Sequence, residues 1–292
     1  MVQYNTQMKI TNKASLYLLL VTAAWGCTFP LIKASMATIQ PTVFVATRFI
    51  LATLILLPFV VTKFNKTSRT MLLSGLALGV LNGFIYIMQA IGLQTISSSQ
   101  SAFIIGTNVI FIPFLARLFR INKFDKVGIF SAIICSIGLF IFTDFAIKIG
   151  VGSFWCMLSA LSIAISVIVL QVVTQKVELD CYLLTFYQVL FSIPIPLLFA
   201  FHLDGYAQLL KINIIISLLF CAVIASVVAL VLQAKYQHHV GATKAALIYS
   251  LEPIFACLSG LVLINEQIST NMLIGGGIML FGLVLYQKVI II

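Results

Sequence analysis

Residues 70–116 read TMLLSGLALGVLNGFIYIMQAIGLQTISSSQSAFIIGTNVIFIPFLA, 47 positions without one Asp, Glu, Lys or Arg. About 20 apolar residues cross the hydrocarbon core of a bilayer as a helix. A run of this length therefore holds two crossings and the turn between them, and similar runs fill the rest of the chain. Helices are preferred to barrel strands, because the runs are near-continuously apolar over about 20 residues whereas barrel strands alternate over about 10. The chain is read as an all-α polytopic membrane protein.

Composition supports this. Of 292 residues, 62% are hydrophobic and 8% charged, with a mean hydropathy of +1.17, too few charges to cover a soluble domain. The net charge of +10 invites a nucleic-acid partner. That partner is rejected, because the basic residues lie in short segments between apolar runs and not in one patch. Cytoplasmic loops of membrane proteins are enriched in this way. The six cysteines all lie in apolar runs and form no CxxC pair, so they are read as small buried hydrophobes. Lys9 and Lys13 precede an apolar stretch that runs on through Trp25 to Ile32, which predicts an uncleaved first span and not a signal peptide.

Ten spans are expected at 14–33, 42–62, 70–93, 98–119, 127–143, 151–173, 181–202, 212–236, 243–264 and 268–288. With a cytoplasmic N-terminus, 13 of the 17 Lys and Arg fall inside, Lys33, Lys148 and Lys211 fall outside, and Arg48 lies within span two. Both termini are then cytoplasmic, which requires an even number of spans. The chain midpoint lies near Gly150, with five spans on either side. An odd number per half forces the halves into opposite orientations, the arrangement of many secondary transporters. Residues 97–105 open span four and residues 240–248 open span nine, each with small and polar residues, each followed by a proline (Pro113, Pro253) at a different offset.

Residues at i, i+4, i+7 and i+11 share a helix face. Span one aligns Thr22, Gly26, Phe29 and Lys33; span three Asn82, Tyr86 and Gln89; span four Ser97, Ser101 and Asn108. Span six aligns Trp155, Ser159, Ser162 and Ser166; span eight Ser226, Gln233 and Gln237; span nine Ala245, Tyr249, Glu252 and Ala256. Polar groups are costly against lipid, so these faces are expected to meet one another or a watery cavity. The serine face of span six is read first as interhelical hydrogen bonding, the face of span three as cavity lining. Gly75, Gly79 and Gly83, with Gly275, Gly276 and Gly277, are read as helix contacts. Spans five and ten, poor in polar groups, are placed at the periphery.

Two ionisable residues sit deep in spans. Glu252, next to Pro253, lies near the midplane, where an unpaired charge is costly; it is either a proton carrier or a neutral tie between helices. Arg48 is always charged; pairing with a carboxylate is the favoured expectation, with an anionic substrate group and snorkelling as the alternatives. Lys33 and Lys235, near span ends, are expected to snorkel. His238 and His239 are adjacent and point in different directions, so no metal site is expected. The chain holds no phosphate loop and no nucleophile–base set, so no cofactor and no enzymatic activity are expected.

At these residues the chain resembles the EamA family of the drug/metabolite transporter superfamily. The stretch Trp25-Gly26-Cys27-Thr28-Phe29-Pro30-Leu31-Ile32-Lys33 is similar to that family's first-span motif; Arg48-Phe49 and Gly92-Leu93 also fit. The strongest stretch is residues 245–256, AALIYSLEPIFA, followed by Glu266 and Gly275. Asn122, where the family often has an acidic residue, and Asn265, where glycine is usual, depart from it. The resemblance implies ten transmembrane helices as two inverted five-helix repeats, residues 1–148 and 149–292, around a cavity lined by spans one, three, four, six, eight and nine. It implies movement of amino acids or related metabolites across a bacterial inner membrane, often outward, with proton coupling left open.

The expected protein is a multi-pass secondary transporter, an exporter working by alternating access. Its partners are a small-molecule substrate and the lipid bilayer, with a homodimer left open. Trp25, Tyr86 and Tyr249 are assigned to the apolar part of the substrate and Asn82, Gln89, Asn108 and Gln233 to its polar groups; Glu252 is the coupling candidate and Arg48 a buried charge. The alternatives are a membrane-embedded enzyme acting on a lipid and a non-transporting membrane sensor.

Overall fold

The computed structural model describes residues 2–119, 126–142, 150–176, 180–199, 206–264, 267 and 269–291. Arg120, Asn122, Lys123, Lys148, Asn265 and Glu266 lie outside the described residues. Among the described residues every regular element is helical. In chain order these are α1 (Val2–Met36), α2 (Pro41–Val60), α3 (Arg69–Thr95), α4 (Ser98–Gly106), α5 (Asn108–Leu118), α6 (Lys126–Phe142) and α7 (Val151–Lys176). Then follow α8 (Cys181–Ser192), α9 (Pro194–Leu198), α10 (Ile212–Leu219), a π-helical stretch (Phe220–Val228), α11 (Ala229–Val240), α12 (Ala242–Tyr249), α13 (Glu252–Ile264) and α14 (Thr270–Ile291). Among the described residues, eight helical stretches are long and apolar enough to cross a membrane. They are α1, α2, α3, α4 with α5, α7, α8 with α9, α10 through α11, and α12 with α13. Lys126–Phe142 and Thr270–Tyr286 are apolar but shorter. The protein is a multi-span, all-helical membrane protein.

Local chemistry sets the helix starts. Ser68 accepts from the Met71 amide at 3.1 Å and Ser97 from the Gln100 amide at 3.1 Å, the usual satisfaction of free N–H groups at a helix start. Asp180 caps α8 through the Tyr182 and Leu183 amides. Its other oxygen pairs with Lys63 Nζ at 2.8 Å, tying the turn after α2 to α8. Gly241, at φ +82°, allows the chain to turn between α11 and α12.

Four apolar runs that read as continuous in the sequence are interrupted. Between α4 and α5, Thr107 Oγ1 donates back to the Ile104 carbonyl at 2.6 Å and Asn108 Nδ2 to the Ile105 carbonyl at 2.7 Å. Between α12 and α13, Ser250 Oγ donates to the Leu247 carbonyl at 2.8 Å, just before Pro253, which has no N–H. These side chains compete with the helical ladder. Pro194 and Pro196 lie at the junction of α8 with α9, and the π-helical stretch widens the helix between α10 and α11.

Glycines bring the helices together. Gly75, Gly79 and Gly83 of α3 lie against Tyr187, Phe191 and Ile195 of α8 and α9, and Gly92 against Gly152 and Cys156 of α7. Gly26 of α1 abuts Phe255 and the Glu252 carbonyl. Gly138 and Gly275 bring α6 and α14 into backbone contact. Gly277 differs from the expectation: nothing lies within 4 Å of the position a side chain would take there. The face of α6 carrying Phe130, Ile133 and Ile137 is exposed, as is that of α14 carrying Leu273, Phe281 and Val284.

Candidate functional site

The described helices line a polar cavity. α3 supplies Asn82, Ile85, Tyr86 and Gln89; α1 supplies Trp25 and Thr28. Asn108 enters at the start of α5 and Glu252 at the start of α13, each beside a helix break. Ser166 and Val167 come from α7, Gln188 from α8, Gln233 from α11 and Tyr249 from α12. All eight cavity positions assigned from sequence, Trp25, Asn82, Tyr86, Gln89, Asn108, Gln233, Tyr249 and Glu252, thus meet at one place. The cavity holds about 50 Å³ of free space, enough for a few waters at about 10–15 Å³ each by this measure. A second recess, of about 320 Å³, is lined by Gln40, Thr42, Gln94, Trp155 and Phe199.

The walls divide into groups with structural partners and groups without. Gln237 is occupied: its amide donates to the Val167 carbonyl at 2.8 Å, and its oxygen accepts from Gln233 at 3.1 Å and from Tyr249 at 3.2 Å. Asn82 makes a long bond of 3.3 Å to Ser192. The Trp25 indole donates to the Ala225 carbonyl at 3.0 Å, and its ring lies 5.4 Å from that of Tyr249. Asn108 Oδ1 is buried without a partner. Among the described residues, the side chains of Gln89, Gln188 and Glu252 make no hydrogen bond or ion pair. These free groups are the ones able to hold a solute.

The family model for the EamA-like transporter family matches residues 12–143 and 150–287. The chain belongs to the EamA-like transporter family. It is also 26% identical over 274 residues to an uncharacterized transporter of Archaeoglobus fulgidus, covering 93% of this chain and 85% of that protein. A solved crystal structure at 10% identity superposes with a TM-score of 0.74, covering 95% of this chain and 97% of that one; this likeness concerns the fold. Membership of the drug/metabolite transporter superfamily makes this a membrane transporter and points away from an enzyme.

Four sequence expectations change in this EamA-like transporter. The face of α1 toward the cavity carries Trp25 and Thr28, not Phe29, which is fully buried, or Lys33, whose Nζ donates to the Leu93 carbonyl at 2.8 Å. Lys33 therefore satisfies the end of α3 instead of only snorkelling. Gln188 adds the seventh apolar run to the six expected to line the cavity; a lone glutamine in an apolar helix was its signal. The serine face of α7 splits: Ser159 donates to the Ile85 carbonyl at 2.9 Å, Ser162 to its own helix, and Ser166 lines the cavity. Arg48 has no carboxylate partner among the described residues; its Nε donates to Ser226 Oγ at 2.9 Å. Among the described residues no cluster of three metal-ligating side chains occurs.

Proposed function

We propose that this protein is a secondary exporter of small metabolites, amino acids among them, that exposes the central cavity in turn to each side of a bacterial inner membrane. The observation that carries the proposal is the set of unpartnered amide and carboxyl groups enclosed between two broken helices, the setting in which transporters place their sites. The assigned roles follow the geometry. Trp25, Tyr86 and Tyr249 pack on the apolar part of the substrate. Asn82, Gln89, Asn108 and Gln233 bond its polar part, joined by Gln188.

The proposed architecture is ten crossings in two inverted repeats, residues 1–148 and 149–292, with both termini cytoplasmic. Helix packing supports it. α3 packs on α7 and on α8; the partners expected on exchanging the halves are α11 on α1 and the π-helical stretch on α2, and both contacts occur. Likewise α1 on α13 corresponds to α7 on α4 and α5, while α6 on α14 maps onto itself.

Glu252 is the proposed proton carrier. It stands in the first turn of α13, where the helix dipole acts on it, and no described cation pairs with it. The test is counterflow in proteoliposomes with labelled amino acids and metabolites at two pH values. Wild type is expected to exchange at least one compound and to be driven by a pH gradient. Glu252→Gln is expected to keep exchange and lose the response to the gradient; an unchanged response would remove the carrier role.

A further inference from the structure

Arg48 of α2 has no exposed surface. A guanidinium is charged at every physiological pH, and a membrane interior supplies no bulk water to solvate it. Its Nε is taken by Ser226, whose hydroxyl in turn donates to the Cys221 carbonyl within the π-helical stretch. Its two terminal nitrogens, Nη1 and Nη2, are buried without any hydrogen-bond partner. Its Cζ stands 3.9 Å from the centre of the Tyr86 ring and 5.9 Å from that of Phe49. An aromatic face attracts a cation but offers the N–H groups no oxygen.

Tyr86 also lines the cavity, whereas Arg48 does not. The ring thus touches both the cation and the solute space. A guanidinium held by Nε with both terminal nitrogens free presents a two-pronged donor that matches the two oxygens of a carboxylate. Placed against it are Ser226, Phe49 and Tyr86, and Glu252 lines the same cavity as Tyr86. The anchor of Arg48, Ser226, adjoins Ala225, which receives the indole of the cavity residue Trp25. Both lie in the π-helical stretch, a form of helix frequent at functional sites.

We infer that Arg48 is the subsite for the carboxylate of the transported substrate, covered by the Tyr86 ring in this conformation and opened when that ring swings aside. This rests on the transporter reading and narrows it to carboxylate-bearing metabolites, as against amines and neutral solutes. Among the described residues, the competing anion at this cavity is Glu252.

The test is modification of Arg48 by phenylglyoxal, followed by peptide mass spectrometry on the full chain in lipid nanodiscs. Labelling is expected to be slow in wild type and Tyr86→Phe and several-fold faster in Tyr86→Ala. A pool of amino acids and 2-oxo acids is expected to slow it, and the corresponding carboxamides are not. No acceleration in Tyr86→Ala, or equal protection by carboxamides, overturns the assignment. So does acceleration by Glu252→Gln with no effect of added carboxylates, which gives the guanidinium to Glu252. Arg48→Lys keeps the charge without the fork, and its KM for the carboxylate substrate is expected to rise about tenfold. Counterflow on the same preparation separates the two claims. Protection without exchange overturns transport and leaves an anion site; exchange without protection overturns the anion site and leaves transport.

Discussion

Asn108 and Glu252 occupy corresponding places in two broken helices. Asn108 lies ten residues beyond Ser98, the start of α4, and Glu252 ten residues beyond Ala242, the start of α12. Each opens a new helix after a break, and each faces the same cavity. α4 packs against α13, so the two breaks are neighbours. One position carries an amide and the other an acid.

Asn108 has a structural and a ligand-facing end. Nδ2 holds the Ile105 carbonyl at the break, while Oδ1 has no partner. Asn108→Ala is expected to cost about 1–3 kcal/mol of apparent stability, the range for leaving a buried carbonyl unpaired, and to raise KM. Thermal unfolding of the purified protein and counterflow kinetics measure the two effects separately. Unchanged stability would show that the side chain does not hold the break.

Gln89 has no described structural partner, so its loss should fall on the substrate alone. Gln89→Ala is expected to raise KM about tenfold with kcat and unfolding temperature little changed, the signature of lost uniform binding. A fall in stability with KM unchanged would place Gln89 in packing.

The contact of α3 with α8 is set by backbone proximity. A Cβ at Gly79 would lie 2.7 Å from both the Gln188 carbonyl oxygen and Phe191 Cβ. Gly79→Ala is expected to destabilise by about 1–3 kcal/mol, as overpacking does. Gly277→Ala, with nothing within 4 Å, is expected to be neutral or slightly stabilising, because alanine is the better helix former. Equal effects at the two positions in thermal unfolding would contradict the packing described.

The Lys63–Asp180 latch carries an acid-side pH dependence. Partial burial acts to raise the Asp180 carboxyl, but hydrogen bonds from Lys63 and from the Leu183 and Tyr182 amides outweigh it and hold the group below its ordinary 3.8. A carboxyl lowered on folding contributes stability that is complete above its unfolded value and is lost as pH falls through the folded one. The stability difference between wild type and Asp180→Asn should therefore be constant from pH 7 to about 5 and vanish toward lower pH. Asparagine also caps helices, so the difference at neutral pH reports the half-buried ion pair and should be about 0–1 kcal/mol. Asp180→Ala, losing cap and pair together, should cost about 1 kcal/mol more.

Apolar runs and a 3.6-residue period made much of this molecule legible. Asn82, Tyr86 and Gln89 share a face by spacing alone, and the structure turns that face into the cavity. The helix interruptions were not legible from hydropathy, because Thr107 and Ser250 are too mildly polar to disturb an apolar run yet donate to their own backbone. Spacing puts Lys33 on the polar face of α1, but its ammonium caps the end of α3, so the cavity face is set by Trp25 and Thr28. Gln188 shares its face with only the small hydroxyls of Thr185 and Ser192, too mild a polar stripe to mark span seven as cavity lining. The bare terminal nitrogens of Arg48 had no sequence signal, since the pattern tells which residues are charged but not which lack a partner.

The central claim is that the cavity around Gln89 opens to both sides of the membrane. The direct measurement is a single cysteine at position 89 in a background with all six native cysteines replaced, labelled in sealed vesicles of each orientation by a membrane-impermeant maleimide. The account predicts labelling from both sides and a slower rate from either side when transported substrate is present. Labelling from one side only, or none from either, would contradict it.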